Sequence, residues 1–136
     1  MSDVDWKPLL AAAARARERA YAPYSGYQVG AALLAANGRI FAGCNVENAS
    51  YGLALCAERS AVAQLVAAGL REMEALAVVT AGPEPGSPCG LCRQTLSEFA
   101  RDLPIALALP GDEAPRVVKR LRDLFPDPFR GDLVKG

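Results

Sequence analysis

Apolar residues recur along the first third of the chain with two different periods. From about Asp5 to Ala20, Ala and Leu are spaced as on one face of a helix, which predicts a first helix. Two mostly apolar segments follow at 27–35 and 39–47, with Asn37-Gly38 between them. Because Asn-Gly is the commonest signal of a two-residue hairpin turn, we expect two antiparallel strands here.

The rest of the chain alternates between helical periodicity and short buried strands. In chain order, the predicted elements are a helix at 57–68, a strand at 76–81, a helix at 89–100, a strand at 104–109, a short strand around 117–118 and a helical turn at 121–125. This order is typical of an α/β protein. We therefore predict one domain over residues 1–136, built as a three-layer α/β/α sandwich around a central mixed sheet of about five strands.

The composition indicates an ordinary globular chain without a strongly charged surface. Of 136 residues, 51% are hydrophobic, which is enough to bury a core. Lys and Arg number 15, as do Asp and Glu, with no block of one sign, so we expect neither nucleic acid nor membrane as a partner. The acidic start Met1-Ser2-Asp3-Val4-Asp5 is untypical of a signal peptide, and no apolar run approaches the roughly 20 residues that span a bilayer. We expect a cytoplasmic protein.

Two short cysteine motifs carry the candidate chemistry, and each opens a predicted helix. They are Cys56-Ala57-Glu58-Arg59 and Pro88-Cys89-Gly90-Leu91-Cys92. Three thiolates suffice to bind a zinc ion and leave the fourth tetrahedral position open, as in catalytic zinc sites. The chain has no histidine, so the acid–base group must be another residue, and Glu58 follows the first thiol by two positions. The pattern predicts a catalytic zinc site with Cys56, Cys89 and Cys92 as ligands and Glu58 as proton carrier.

The charge of such a site needs compensation. Three thiolates around one Zn²⁺ leave a net charge near minus one, which weakens the metal as a Lewis acid. The N-terminal ends of two helices and a nearby cation can offset this charge. Arg59, beside Glu58 in the first helical turn, is the preferred candidate for this role, ahead of Arg93.

Simpler interpretations of the same residues stay open. Cys89-Gly90-Leu91-Cys92 at a helix start also fits a thioredoxin-like redox pair. A non-catalytic zinc module would need a fourth protein ligand, for which Cys44 is the remaining cysteine. Strand alternation argues against that site, because it turns Cys44 into the core and places Asn45 and Glu47 together on the other face. Asn45 and Glu47 are then either ordinary polar residues on an exposed strand face or part of a polar binding surface.

Three longer motifs contain these features. They are Asn45-Val46-Glu47-Asn48-Ala49-Ser50-Tyr51-Gly52, Cys56-Ala57-Glu58-Arg59 and Ser87-Pro88-Cys89-Gly90-Leu91-Cys92-Arg93-Gln94. With them, and with the segment from Tyr24-Ser25 to Ala31-Ala32, the sequence resembles the homotetrameric cytidine deaminases over most of its length. The resemblance implies a cytidine deaminase-like fold, one Zn²⁺ per subunit and hydrolytic deamination of cytidine and 2′-deoxycytidine to the uridines with release of ammonia, a step of pyrimidine salvage. A deaminase of a nucleoside antibiotic such as blasticidin S, which shares the cysteine motifs, stays an alternative.

The resemblance also implies contacts to the substrate within one subunit. Asn45 and Glu47 would hydrogen-bond the ribose 3′-hydroxyl. The Ala57 backbone N–H would contact the pyrimidine 2-carbonyl, and a backbone carbonyl near Ser87 would contact the 4-amino group. Tyr27 stands where the family commonly has Phe, and its ring would lie over the base.

Three further residues would act from a neighbouring subunit. The resemblance implies that Ala49 and Tyr51 of the neighbour approach the 5′-hydroxyl, and that Phe129 of its C-terminal tail supplies an aromatic ring. The expected active sites are therefore shared between subunits of a homotetramer.

Overall fold

One five-stranded sheet organises the protein. The computed structural model describes residues 4–131. In chain order its α-helices and strands are α1 (Trp6–Arg17), β1 (Val29–Ala35), β2 (Ile40–Cys44), α2 (Ala57–Ala67), β3 (Met73–Thr80), α3 (Gly90–Ser97), β4 (Pro104–Ala108), β5 (Val117–Arg120) and α4 (Leu121–Leu124). The spatial order is β2-β1-β3-β4-β5, in which β3 and β4 are parallel and the other neighbours are antiparallel. The predicted mixed sheet of about five strands is confirmed.

Small side chains line the face of the sheet that α1 covers. Strand residues on this face are mostly alanines, namely Ala32, Ala75, Ala77, Val79, Ala106 and Ala108. Helix α1 buries Leu9 and Leu10 against them. The helix lies so close that a Cβ atom at Gly30 would be 1.9 Å from the Ala13 carbonyl oxygen, so this position needs glycine. The Ala-rich face therefore sets how closely α1 packs.

Larger side chains fill the opposite face, under α2 and α3. The strands contribute Leu33, Leu76, Val78, Ile105 and Leu107, and the helices contribute Ala61, Val62, Leu65 and Leu96. Helix α1 on one face and helices α2 and α3 on the other make the three predicted layers. The strand residues alternate between the two faces because successive side chains of a strand point to opposite sides of the sheet.

The β1–β2 hairpin is confirmed, but its turn is longer than Asn37-Gly38 suggests. Leu34 pairs with Ile40, and the Ala35 N–H donates to the Arg39 carbonyl at 2.8 Å, so three residues form the loop. Gly38 has φ +90°, as expected for the left-handed residue that ends a three-residue hairpin loop. The glycine thus serves a longer loop than the predicted two-residue turn.

Strand β2 ends at Cys44, three residues before the predicted end. Asn45 donates its backbone N–H to the Val29 carbonyl, and Val46 then leaves the sheet to bridge with Tyr21 and Leu55. Cys44 is half-buried instead of lying in the core as predicted. It stays partly exposed because β2 is an edge strand, where a side chain is covered from one side only.

Some sequence predictions concern residues outside the described part of the chain. The acidic start includes residues 1–3, and the single-domain prediction extends over 132–136 as well. Within residues 4–131, no helix combines the length and apolar character that crossing a membrane requires.

Candidate active site

Three thiols meet where helices α2 and α3 begin. The sulfur atoms of Cys56, Cys89 and Cys92 all lie within 4.8 Å of one another, and those of Cys89 and Cys92 are 3.6 Å apart. Two thiolates on one tetrahedral zinc ion lie about 3.8 Å apart, given a Zn–S distance of about 2.3 Å. Among the described residues, this is the only group of three potential ligands. The Cys89–Cys92 spacing and the all-sulfur donors of the group fit the predicted zinc site.

The spacing of the backbone favours a metal site over a structural disulfide. The Cys56 and Cys92 sulfurs are in direct contact, yet their Cα atoms are 7.4 Å apart. Disulfides usually join residues with Cα atoms about 4.4 to 6.8 Å apart. Cys89 lies beside Cys92, so the thiols form a group of three and not an isolated redox pair. Cys44 is not part of the group, which leaves the alternative four-cysteine site without its fourth thiol.

The fold directs positive charge at the thiols. Cys56 and Cys89 are the N-cap residues of α2 and α3, so both helix dipoles point their positive ends toward the group. The Arg59 Nε donates to the Cys56 Sγ at 3.2 Å, and its Nη2 donates to the Ala54 carbonyl at 2.8 Å. Arg59 therefore contacts a thiol directly, as its predicted role in charge compensation requires.

Arg93 has a different environment. Its guanidinium donates to the carbonyl groups of Pro88 and Leu124, each at 2.8 Å, and to the Ser87 hydroxyl at 3.3 Å. These contacts connect the segment before Cys89 to helix α4. Arg93 thus holds the backbone beside the thiols and makes no hydrogen bond to sulfur within residues 4–131.

Glu58 lies in the first turn of α2 and is only 5% exposed. Burial raises the pKa of its carboxyl above the ordinary value, and its own backbone N–H and the Arg59 charge only partly oppose this effect. A carboxyl with a raised pKa holds a proton more readily near neutral pH. This property suits a group that takes up and gives back a proton.

The three cysteines and Glu58 line one cavity of about 210 Å³. Its lining comes from strand ends, helix starts and the segment before α3, namely Tyr27, Val29, Asn45, Cys56, Ala57, Glu58, Val78, Thr80, Gly86, Ser87, Cys89 and Cys92. Ala57 is the first residue of α2, and its backbone N–H donates to no acceptor among residues 4–131. The cavity therefore offers a free N–H donor beside a buried acid and three thiols.

Asn45 fixes the backbone next to this cavity. Its side-chain oxygen accepts the Val29 N–H at 2.8 Å, and its side-chain nitrogen donates to the Tyr27 carbonyl at 2.9 Å. An amide has two donors and two lone pairs, so one donor and one lone pair of Asn45 stay available for a ligand.

Glu47 binds the backbone of Tyr24 and Ser25, just before Tyr27 in the chain. It accepts the backbone N–H groups of Tyr24 at 2.9 Å and Ser25 at 3.1 Å, and it also accepts the Ser25 hydroxyl. The Ser25 hydroxyl, with these two N–H groups, holds the pKa of the Glu47 carboxyl below its ordinary value. Asn45 and Glu47 are therefore more than surface decoration, because together they hold the segment that carries Tyr27.

Comparison with known protein families matches residues 5–106 to the cytidine and deoxycytidylate deaminase zinc-binding region. The chain belongs to this deaminase family. A cytidine deaminase of Sporosarcina psychrophila is 47% identical over 125 residues, which cover 90% of this chain and 92% of the relative. One from Mycobacterium tuberculosis strain H37Rv is 46% identical over 129 residues, covering 95% and 92%.

Solved structures of the deaminase family share the fold. The crystal structure of cytidine deaminase from Burkholderia pseudomallei matches with a TM-score of 0.83 at 47% identity, covering 90% of this chain and 97% of that one. The structure of the Mycobacterium tuberculosis enzyme matches with a TM-score of 0.81 at 46% identity, covering 93% and 98%. These matches confirm the predicted cytidine deaminase-like fold.

Four residues predicted to contact the substrate do not line the deaminase cavity of this chain. Glu47 is half-buried behind Tyr24 and Ser25, whereas Ala49, Tyr51 and Phe129 are exposed. Tyr51 is 82% exposed. The Phe129 backbone is anchored to α3, because Gln94 both donates to its carbonyl and accepts its N–H. In this chain neither Tyr51 nor Phe129 lines the cavity that contains the thiols.

Thr80 and Gly86 line the deaminase cavity although sequence reasoning assigned them no role. Thr80 lies in the apolar strand predicted at 76–81, where its hydroxyl is an exception. Its position at the carboxyl end of a strand is a signal, because ligands bind at such ends in α/β sheets. The sequence contained no comparable signal for Gly86 among several glycines and prolines of the same loop.

Proposed function

We propose that this protein is a zinc-dependent cytidine deaminase, which hydrolyses cytidine and 2′-deoxycytidine to uridine and 2′-deoxyuridine with release of ammonia. One observation carries the proposal. Three thiols, the buried Glu58 carboxyl and the free Ala57 N–H face a single cavity in a chain of the deaminase family. Cys56, Cys89 and Cys92 would bind the zinc ion.

Zinc held by three thiolates supplies a Lewis acid that lowers the pKa of a water molecule toward roughly 7. In the proposed reaction, water adds to C4 of the ring, the C4–N bond breaks and ammonia leaves. Glu58 accepts one proton from the water and passes it to ring N3, then takes the second proton from the C4 hydroxyl formed by the addition and passes it to the leaving amine. Its burial supports this role because a raised pKa allows the carboxyl to hold the proton between the two transfers.

Backbone groups of the cavity are suited to orient the base. We assign the Ala57 N–H to the pyrimidine 2-carbonyl. The Ser87 carbonyl accepts no hydrogen bond from the described residues, whereas the Pro88 carbonyl already accepts one from Arg93. The Ser87 carbonyl is therefore the better candidate to accept a hydrogen bond from the 4-amino group. The Tyr27 ring lines the same cavity and would lie over the base.

The ribose would lie at the mouth of the cavity. A volume of about 210 Å³ is below the range of roughly 300 to 1,000 Å³ usual for drug-sized ligands, so it fits the base better than a whole nucleoside. Asn45 lines the cavity with one donor and one lone pair to spare, and Glu47 follows two residues later. We assign both to the ribose 3′-hydroxyl.

We further propose that the protein acts as a homotetramer in which neighbouring subunits complete each site. Exposed side chains support this arrangement, since Tyr51 is 82% and Phe129 59% exposed. Ala49 and Tyr51 would then approach the 5′-hydroxyl of the neighbour's nucleoside, and Phe129 would add an aromatic ring. Because three metal-binding thiols must stay reduced, a cytoplasmic role in pyrimidine salvage fits the proposal.

The test is ultraviolet absorbance and ammonia release when purified, zinc-replete protein is incubated with cytidine. We expect the cytidine absorbance to fall, ammonia to appear in equal amount, and both changes to stop after a chelator removes zinc. Turnover of blasticidin S in place of cytidine would favour the antibiotic deaminase. Bound zinc without turnover of either nucleoside would favour a non-catalytic zinc module.

Glu58→Gln tests the proton carrier. The variant should keep its zinc and lose about 10² to 10⁴-fold in turnover, the usual contribution of general acid–base catalysis. Glu74→Gln is a matched control, because Glu74 is an exposed residue of β3 outside the cavity. A Glu58→Gln enzyme with a tenth of wild-type activity would contradict the proposed mechanism.

A further inference from the structure

Thr80 is one of two buried polar or charged residues among residues 4–131, and Glu58 is the other. Thr80 is 2% exposed and is the last residue of β3. It lines the cavity that contains the thiols. A hydroxyl in such a place needs a hydrogen-bond partner, because leaving a buried polar group unpaired is unfavourable. The hydrogen-bond partner of the Thr80 hydroxyl therefore indicates the role of this residue.

The partner is the backbone of the loop that leads to α3. The Thr80 Oγ1 accepts the Gly86 N–H at 2.7 Å across six residues of sequence. Ser87 follows Gly86 directly, and Cys89 comes two residues later. The hydrogen bond thus joins the end of a rigid central strand to the loop segment that carries a metal-binding thiol and the candidate carbonyl.

Tyr27 contacts the same point of the loop. A Cβ atom at Gly86 would lie 2.9 Å from the Tyr27 hydroxyl oxygen and 3.6 Å from the Thr80 Oγ1. Gly86 therefore fits between the two side chains because it has none of its own. Beyond Gly86, Arg93 holds the Ser87 hydroxyl and the Pro88 carbonyl. The Ser87 carbonyl lies between these two anchored positions.

We propose that Thr80 is a positioning residue of the deaminase site, which sets the Ser87 carbonyl and Cys89 through its hydrogen bond to Gly86. The inference rests on the proposed function, since it concerns the carbonyl assigned to the amino group. That amino group leaves during the reaction, so a displaced carbonyl reduces the turnover rate more than it weakens substrate binding. Thr80 acts through the loop and needs no contact with the substrate.

Thr80→Val is the test variant, because it replaces the hydroxyl with a methyl group of similar size. We expect kcat/KM for cytidine to fall by about 5- to 50-fold, mainly through kcat, as for the loss of one buried hydrogen bond. Zinc should also pass to a chelator several-fold faster, since Cys89 is less firmly held. Thr80→Ser, which keeps the hydroxyl, should restore both properties to within about twofold.

Thr95→Val is the matched control. The Thr95 hydroxyl donates to the Leu91 carbonyl within α3 and does not line the cavity. This variant should keep wild-type kinetics and wild-type zinc release. If Thr80→Val does not fold, Thr80→Ala removes the same hydroxyl with less crowding and is measured in the same way.

Two results would overturn the proposal. One is a hydroxyl-free variant with wild-type kcat and wild-type zinc release. The other is a Thr80→Ser variant as impaired as Thr80→Val, which would assign the effect to the methyl group. If the wild-type protein does not deaminate cytidine, the proposed function fails, but the comparison of zinc release among the variants still decides the role of Thr80.

Discussion

Asn45→Ala should affect both the stability of the protein and the recognition of ribose. The side chain accepts the Val29 N–H at 2.8 Å and donates to the Tyr27 carbonyl at 2.9 Å. Truncation leaves both backbone groups without these partners. The same truncation removes the spare donor and lone pair that we assign to the ribose 3′-hydroxyl. The two effects need separate measurements.

The stability term can be worked from the burial of the two partners. Val29 is half-buried, so its orphaned N–H is poorly solvated, whereas Tyr27 is 43% exposed and water can replace the amide at its carbonyl. Losing the partly buried hydrogen bond to Val29, with little loss at Tyr27, should lower the free energy of unfolding by about 1–2 kcal/mol. For a domain of this size, that change lowers the melting temperature by about 3–10 °C.

The recognition term is measured with two substrates. Wild-type enzyme should process cytidine better than 3′-deoxycytidine, and Asn45→Ala should reduce this preference. Asn37→Ala is the control, since the Asn37 side chain makes one exposed hydrogen bond to the Arg39 N–H in the hairpin loop. That control should keep the preference and change the melting temperature little. An Asn45→Ala enzyme with an unchanged preference would refute the ribose assignment, and one with unchanged melting would refute the structural role.

Three other substitutions test separate parts of the site and fold. Arg59→Ala removes a donor to a thiol, so zinc affinity in a chelator competition should fall by about 10- to 100-fold, and wild-type affinity would rule out this role. Gly86→Ala should lower kcat/KM in the presence of Tyr27 but much less in a Tyr27→Phe background, because a new Cβ meets the Tyr27 hydroxyl. Equal losses of kcat/KM in the two backgrounds would contradict this explanation. Arg120 holds the pKa of Asp102 below its ordinary value of 3.8, so the pair stabilises above that pH and loses its effect as the pH falls through the lowered value. Asp102→Asn should therefore melt slightly below wild type at pH 7, with a difference that closes in acid; a constant difference would speak against the pair.

The sequence predicted the order of elements well because that order follows from local periodicity. The two cysteine motifs predicted the thiol group for a similar reason, since each lies at the start of a helix and brings its own backbone geometry. The predictions of where β2 ends and of a buried Cys44 were wrong, because both depend on the position of the strand at the sheet edge. The partners of Asn45 and Thr80 could not be read from the sequence, because each binds backbone that folding brings close.

The hydrogen bonds around the cavity explain which groups are left for a substrate. Asn45, Thr80 and Arg93 occupy the nearby backbone groups, while the Ala57 N–H and the Ser87 carbonyl have no partner among the described residues. Cytosine presents a carbonyl at position 2 and an amino group at position 4, which complement one free donor and one free acceptor. Uracil presents a carbonyl at position 4, so in the proposed orientation the product places an acceptor against the Ser87 acceptor. Because two opposed acceptors cannot hydrogen-bond, the Ser87 carbonyl would favour cytosine over uracil and so favour release of the product, whereas the 2-carbonyl assigned to the Ala57 N–H is common to both bases.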